Sequence, residues 1–512
     1  MTRVANATRN IIFGYIGNTI ALLLGFVSRT VFIHTLGVTY LGVDGLYTNI
    51  LSLLSLAELG IGTAMNFNLY KPVAEEDYEK IKSLMYVYKR AYMVIAVFIT
   101  IIGLAFVPFL RYIIKERGSL DINNLTIYYL IFLFNTVSTY FVSYKYSLVN
   151  AEQKGYIQTN INTITTSITV ISQIIVLLIF KSFLLYLITA SVIGLLEKII
   201  VSLYMNKRYP YLSDGNVRKL SNQDVCSLKK NIKALMYHKI GDASVHQTDN
   251  IIISSFISVR MVGLISNYHL VINSISRFVD IIFNSAVGGL GNLVATERKE
   301  RQYRTFKNYR FLGFWVYGFC AVALLTLLSP FITLWLGKDM LVSDTVIYLI
   351  IADFYFRGHR IVVNNFKTAA GIFDEDKYVG FIQGIVNLVV SLILVQRIGL
   401  VGIYIGTICS GLVSTVIKPR IVYREIFRIS EWDYYYDSLR FGVVVALAAI
   451  ILESLKRLFV TEVTVVAFFW MVLGVVLVPN CLFYLFFRHR DEFQYLTSLV
   501  KNWTARRGLW IS

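Results

Sequence analysis

Long apolar runs separated by short basic or polar stretches dominate this 512-residue chain. A membrane-spanning helix needs ~20 mostly apolar residues. Fourteen segments meet that requirement: 10–33, 43–68, 91–110, 124–146, 157–180, 182–205, 233–257, 262–290, 311–336, 344–367, 378–396, 399–422, 440–456 and 463–487. None of the long runs alternates polar and apolar positions as a lumen-facing strand would. The pattern predicts an all-α polytopic membrane protein with about 14 transmembrane helices. All six prolines are expected at or near span ends or in loops, Pro479 being the deepest.

Composition sharpens this picture. Hydrophobic residues make up 56% of the chain and charged residues only 16%, against ~25% charged in a typical globular protein. Mean hydropathy is +0.61. These values exclude a soluble enzyme and a secreted disulfide scaffold. Cys226 lies in a basic polar stretch, whereas Cys320, Cys409 and Cys481 lie in apolar segments, with no metal-site spacing. Arg3 and Arg9 precede an apolar segment with no small-residue cleavage site, which reads as an uncleaved first span.

The net charge of +18 invites a nucleic-acid reading, which the placement of the charges removes. With fourteen spans both termini share a side, and that side collects 34 of the 49 Lys and Arg residues. Nine fall on the opposite side and six inside spans. Cytoplasmic loops of membrane proteins accumulate Lys and Arg in this way. A multi-pass protein of the bacterial inner or plasma membrane, with both termini cytoplasmic, is therefore expected, with no nucleic-acid partner.

The spacing of the spans suggests domains. Residues 1–205 form an expected N-terminal six-helix bundle, 206–232 a cytoplasmic basic linker, 233–424 a C-terminal six-helix bundle, and 425–512 two additional transmembrane helices and a cytoplasmic tail. Six plus six suggests internal duplication. A shift of 221 residues lays Tyr40-Leu41-Gly42 on Met261-Val262-Gly263 and Tyr47 on Tyr268. Because six is even, the repeat would be parallel, with pseudo-symmetric bundles.

Charges at bilayer depth are costly and mark functional sites by default. Helical spacing arranges them in stripes. Asn273, Arg277, Asp280 and Asn284 share a face of the eighth span, and Asp353, Arg357, Arg360 and Asn364 repeat the spacing in the tenth. His238, Asp242, His246 and Asp249 share a face of the seventh, as do Ser55, Glu58, Gly62 and Asn66 in the second. Polar stripes on apolar helices imply a hydrated interior. Arg277 with Asp280, and Asp353 with Arg357, could instead be neutralised pairs that lock helices, but their depth in the membrane favours function. Guanidinium binds phosphate oxygens through paired hydrogen bonds that lysine cannot reproduce. Arg29, Arg277, Arg357 and Arg360 are therefore candidates for an anionic cargo, with Asn273, Asn284 and Asn364 beside them. Glu58, His246, Asp249, Asp280 and Asp353 are candidates for proton or ion coupling. Glu197-Lys198 reads as structural.

No catalytic constellation accompanies these stripes. The sequence has no phosphate-cradling glycine loop, nucleophile elbow or metal-ligand cluster. His238 and His246 stand eight residues apart on one helix, ~12 Å of rise and too far to chelate one metal. A non-enzyme without cofactor or metal is expected, driven by H+, Na+ or the membrane potential.

The run "YLGVDGLYTNILSLLSLAELGIGTAM" (Tyr40 to Met65), the turn "NAEQKGYI" (Asn150 to Ile157) and the six-six-two arrangement resemble the Wzx-type polysaccharide flippases. These belong to the multidrug/oligosaccharidyl-lipid/polysaccharide (MOP) exporter superfamily. The resemblance implies a MATE/MurJ-like fold with a central cavity alternating between faces. It implies a cargo of undecaprenyl-pyrophosphate-linked oligosaccharide, a repeat unit of capsule, O-antigen or exopolysaccharide, moved from the cytoplasmic to the outer leaflet. Membrane lipids are implied partners, as are a polysaccharide polymerase and export machinery. In such flippases arginines on the first, second and eighth spans bind pyrophosphate. Arg29 and Arg277 match the first and eighth, while the second offers Glu58, so Arg357 or Arg360 would substitute. The alternative is a MATE-like proton- or sodium-coupled drug or cation antiporter, which prefers a net acidic cavity. A polysaccharide polymerase or ligase needs a large external loop, and the longest external stretch, about 111–123, is too short.

Overall fold

The computed structural model describes residues 2–58, 61–115, 122–213, 217–218, 220, 228, 247–372 and 375–508. The described chain is predominantly helical, and no strand occurs among those residues. It divides into two compact units, residues 1–263 and 264–512, each taken here by itself.

In the first unit, α1 (Thr2–Leu36), α2 (Val38–Leu54), α3 (Ile61–Ala74), α4 (Tyr78–Phe106), α5 (Ile122–Ala151), α6 (Tyr156–Phe180), α7 (Phe183–Arg208) and α8 (Thr248–Phe256) follow in order. Local chemistry places their ends. Gly37 adopts φ +86° between α1 and α2, a backbone that residues with a Cβ rarely take. Asp77 caps α4 by accepting from Lys80 N at 3.0 Å, and Ser182 caps α7 by accepting from Leu185 N at 3.4 Å. α1 packs along α6, α4 along α5, and α7 against both α5 and α6.

The chain leaves this unit through α9 (Val259–Ser285). α10 (Val287–Thr296), α11 (Lys299–Leu336), α12 (Asp344–Ala369), α13 (Val379–Ile398), α14 (Leu400–Val422), α15 (Trp432–Phe459), α16 (Val465–Phe487) and α17 (Asp491–Gly508) complete the second unit. α13 and α14 form a tight pair, and α14 and α11 both pack on α12. α15 and α16 pack on α11 through an aromatic cluster. Phe314 stacks on Phe441 with centroids 4.1 Å apart and meets Phe483 at 4.9 Å. Such aromatic pairs contribute about 0.5–1.5 kcal/mol beyond area burial.

Eleven helices among the described residues are long and apolar enough to cross a membrane. Where they fall short of the fourteen expected segments, the causes are local. The second expected span is not one helix. α2 stops at Leu54, a 3₁₀ turn covers Ser55–Glu58, and α3 restarts at Ile61. The tenth segment is helical as α12, but Asp353, Arg357 and Arg360 lower its hydropathy. Most of the seventh, with His238, Asp242 and His246, lies outside the described residues. The eighth is among the eleven, as Val259–Thr296, with a break in the helix at Ala286 between α9 and α10.

Four prolines lie inside helices: Pro72 and Pro419 close to the C-terminal ends of α3 and α14, Pro330 further in on α11, and Pro479 the deepest, on α16. Neighbouring helices in a membrane protein can satisfy the freed carbonyls, which lets proline enter. α17 was expected only as a tail; Trp315 stacks on its Phe493 at 5.6 Å. Cys320, Cys409 and Cys481 are free thiols.

Candidate functional site

The first unit holds Arg29, Glu58 and Asp249. Arg29, half-buried on α1, lies within Coulombic reach of Asp44 on α2 and Tyr186 on α7. Asp44 is missing from the sequence-derived candidates, although a carboxylate in an apolar run after Arg29 was the available signal. Glu58 sits at the end of the 3₁₀ turn, where Tyr92 Oη of α4 donates to its Oε1 at 2.7 Å. Tyr140 and Ser55 stand beside it. The break between α2 and α3 therefore turns a carboxylate toward two phenols. Asn66, expected on the same stripe, is half-buried with an Oδ1 that has no hydrogen-bond partner among the described residues. Asp249 is half-buried in the first turn of α8, and His246 lies outside the described residues. Glu197 accepts from Tyr146 Oη at 3.1 Å, while Lys198 donates to Gly194 O of its own helix at 3.2 Å.

In the second unit the eighth-span stripe separates into two environments. Asn273, Arg277 and Asn284 are exposed on α9, whereas Asp280 is half-buried. Asp280 does not pair with Arg277: Tyr317 Oη of α11 donates to Asp280 Oδ1 at 2.7 Å. No hydrogen bond or ion pair among the described residues engages the Arg277 guanidinium.

The tenth-span stripe is a built cluster. Asp353 is buried at 6% exposure, and both arginines donate to it. Arg357 Nη2 reaches Asp353 Oδ2 at 3.0 Å and Arg360 Nη2 reaches Oδ1 at 3.2 Å. Spacings of i, i+4 and i+7 on one helix put the three groups on one face. Two guanidiniums against one carboxylate leave one net positive charge. Arg357 Nε and Arg360 Nη1 are buried without acceptors among the described residues, as is Asn364 Oδ1 without a donor. Two lost hydrogen bonds of a charged group cost on the order of 3 kcal/mol or more, so this arrangement favours an incoming acceptor.

Beside this cluster lies a group that sequence reasoning missed. Arg310 is 3% exposed on α11. Its guanidinium lies 4.0 Å over the Tyr434 ring, donates to Ser438 Oγ at 2.8 Å and pairs with Asp437 at 3.8 Å. Arg490 grips the two oxygens of the same Asp437 at 3.0 Å each. This network ties α15 to α11 and reads as an anchor. A 590 Å³ cavity lined by Tyr348, Tyr355, Tyr435 and Ser438 opens between α11, α12 and α15. No cluster of metal-ligating side chains occurs among the described residues.

No protein-family model matches the sequence, and no curated protein matches it. Solved structures match its fold. The lipid II flippase MurJ in an inward closed conformation is similar at a TM-score of 0.66 and 15% identity, over 93% of this chain and 99% of that one. An inward-facing multidrug resistance MATE family transporter of the MOP superfamily is similar at 0.58 and 12% identity, over 83% and 95%. The Vibrio cholerae MATE transporter VcmN, as a mutant, is similar at 0.54 and 13%, over 84% and 99%. At these identities the likeness establishes the shared fold.

Proposed function

We propose that the protein is an alternating-access transporter of a bacterial cell membrane that flips undecaprenyl-pyrophosphate-linked oligosaccharide from the cytoplasmic to the outer leaflet. The observation that carries this reading is the Asp353–Arg357–Arg360 cluster, which keeps one net positive charge and unfilled guanidinium donors. Guanidinium forks match phosphate oxygens in geometry and charge. The exposed Arg277, Asn273 and Asn284 supply a second set of donors on α9. Arg29, neighboured by Asp44, is proposed to take part in passing the head group outward. The resemblance of Tyr40–Met65 to the Wzx-type flippases and the fold shared with MurJ both support a lipid-linked cargo.

The cargo must bind the two access states differently for transport to have a direction. Glu58, held by Tyr92, and Asp249 are the groups proposed to couple that difference to a proton or to Na+. The same carboxylates support a second reading, a MATE-like antiporter of drugs or organic cations, whose fold this chain also shares. Both readings are transport without covalent chemistry.

The experiment is a flipping assay in proteoliposomes with a fluorescent undecaprenyl-pyrophosphate oligosaccharide, comparing wild type with Arg277→Ala and Arg360→Ala. Transport that needs both arginines is the expected result. Movement of a fluorescent organic cation in its place, with the lipid standing still, would replace the flippase with the antiporter.

A further inference from the structure

A 550 Å³ groove runs along the first unit between α6 and α7, and none of the polar-stripe residues lines it. It begins at Tyr156 and Tyr204 and ends at Ile168 and Ile193. Tyr156 and Ile168 stand twelve residues apart on α6, ~18 Å of helix rise. The hydrocarbon core of a membrane is ~30 Å thick, so the groove covers about one leaflet. Its walls are open: Ile164 is 60% and Ile200 64% exposed. α1 packs on α6 through Gly17 and Thr163, outside the groove. The mouth is a pair of tyrosines, each carrying an arginine. Arg9 lies 5.8 Å over the Tyr156 ring, on which Phe13 stacks at 6.2 Å. Arg208 lies 6.0 Å over the Tyr204 ring and donates to its Oη at 2.9 Å. Tyrosines favour the head-group level of a membrane, which puts both guanidiniums at the depth of lipid phosphates. Glu152 shares the Arg208 charge at 3.5 Å, while no acid among the described residues pairs with Arg9.

We propose that this groove is a binding site for an anionic phospholipid of the membrane, with an acyl chain against its isoleucines and the phosphate at Arg9 and Arg208. The occupant is a resident lipid and not the transported cargo, so the inference does not rest on the flippase reading. Length and charge select it. A partner's transmembrane helix would need contact across the whole ~30 Å core, well beyond the groove. A single lipid chain needs one leaflet. Basic pockets at the ends of membrane helices hold anionic head groups, whereas a zwitterionic lipid brings a cation against the same two arginines. A hydrophobic cation would need a free acid in the wall. Glu197 is there, but Tyr146 donates to it at 3.1 Å and Lys198 stands within Coulombic reach.

Native mass spectrometry of the purified full chain, titrated with dioleoyl phosphatidylglycerol or dioleoyl phosphatidylcholine, tests this. Wild type is expected to bind its first phosphatidylglycerol about tenfold more tightly than phosphatidylcholine. Ile200→Trp fills the groove from an exposed position without altering charge, and should abolish that tight first binding. Arg9→Gln leaves the groove open and should bring the two lipids to within about threefold of each other. It breaks no ion pair among the described residues, so it carries the test even if Ile200→Trp does not fold. Equal affinity of wild type for the two lipids would overturn the proposal. So would tight phosphatidylglycerol binding retained in Ile200→Trp, since the lipid would then sit elsewhere. Binding of tetraphenylphosphonium that Ile200→Trp removes, with phosphatidylglycerol binding untouched, would give the groove to a cation held by Glu197. Oligosaccharide flipping plays no part in these readouts, so this proposal and the flippase reading fail separately.

Discussion

Gly42 and Gly263 meet backbone to backbone where α2 crosses the start of α9. A Cβ on Gly42 would stand 3.1 Å from Gly263 N and overlap the Val259 carbonyl oxygen. A Cβ on Gly263 would stand 3.0 Å from Gly42 N and overlap the Val38 carbonyl oxygen. Each glycine thus meets the carbonyl four residues before the other. These are residues that the 221-residue shift superimposes in the sequence. Tyr47 and Tyr268, also paired by that shift, each bond main chain through the phenol oxygen, in opposite senses. Tyr47 Oη donates to Leu125 O at 2.8 Å, and Tyr268 Oη accepts from Val342 N at 3.2 Å.

Small residues let membrane helices approach closely, and here the obstacle to a side chain is backbone, which cannot swing aside. Gly42→Ala and Gly263→Ala should each destabilise the protein by about 2–3 kcal/mol through forced separation of the helices. Gly45 is the control, since its Cβ would meet Val262 Cγ1 at 3.5 Å, an ordinary contact. Thermal melting in detergent should show losses for the first two variants and none for Gly45→Ala. Equal melting of all three would remove the steric argument.

The Tyr92–Glu58 bond yields a second expectation. A hydrogen bond to a charged group contributes about 1.5–3 kcal/mol. Tyr92→Phe removes the donor at 2.7 Å and leaves the carboxylate with Tyr140 and Ser55 nearby. In a double-mutant cycle with Glu58→Gln the coupling energy should exceed about 1 kcal/mol. Additive effects on melting would mean the two side chains act separately.

Arg310 tests the anchor of the last helices. Removing one partner of a buried pair costs about 3–5 kcal/mol. Arg310→Ala strips Tyr434 of its cation and leaves Asp437 with Arg490 alone. Arg310→Lys should recover little, because an ammonium reproduces neither the stacked plane nor the several donors. Limited proteolysis should cut between α14 and α15 faster in both variants; resistance equal to wild type would refute the anchor.

Some of this was legible in the sequence and some was not, for physical reasons. Apolar length gave the helices because burial in lipid depends on little else, and Gly42 and Gly263 stand where the backbones come too close for a side chain. The i, i+4, i+7 spacing gave the Asp353 cluster, since its three groups share one helix and need no knowledge of the rest. Asp280 went the other way. Its neighbour by spacing was Arg277, but its partner Tyr317 is 37 residues distant on another helix. The interruption at Ser55–Glu58 was hidden because a hydropathy window sees the same apolar residues whether the backbone is α or 3₁₀. Arg310 was hidden because it follows a run of solvated basic residues, and only packing against α15 distinguishes it.

Arg277 separates transport from stability most cleanly. It is exposed, and no described residue pairs with it, so Arg277→Ala should leave the melting temperature within the change that ~0.5 kcal/mol gives. Asp280, one turn along, should behave in the opposite way. Asp280→Ala leaves the buried Tyr317 hydroxyl without its acceptor, and a stranded hydroxyl costs about 1–3 kcal/mol. Measured side by side in proteoliposomes, Arg277→Ala should lose lipid-linked oligosaccharide flipping at normal protein levels and normal melting. Asp280→Ala should melt early. A stable Arg277→Ala protein that still flips the lipid would remove Arg277 from the binding site and leave the anion to the α12 pair.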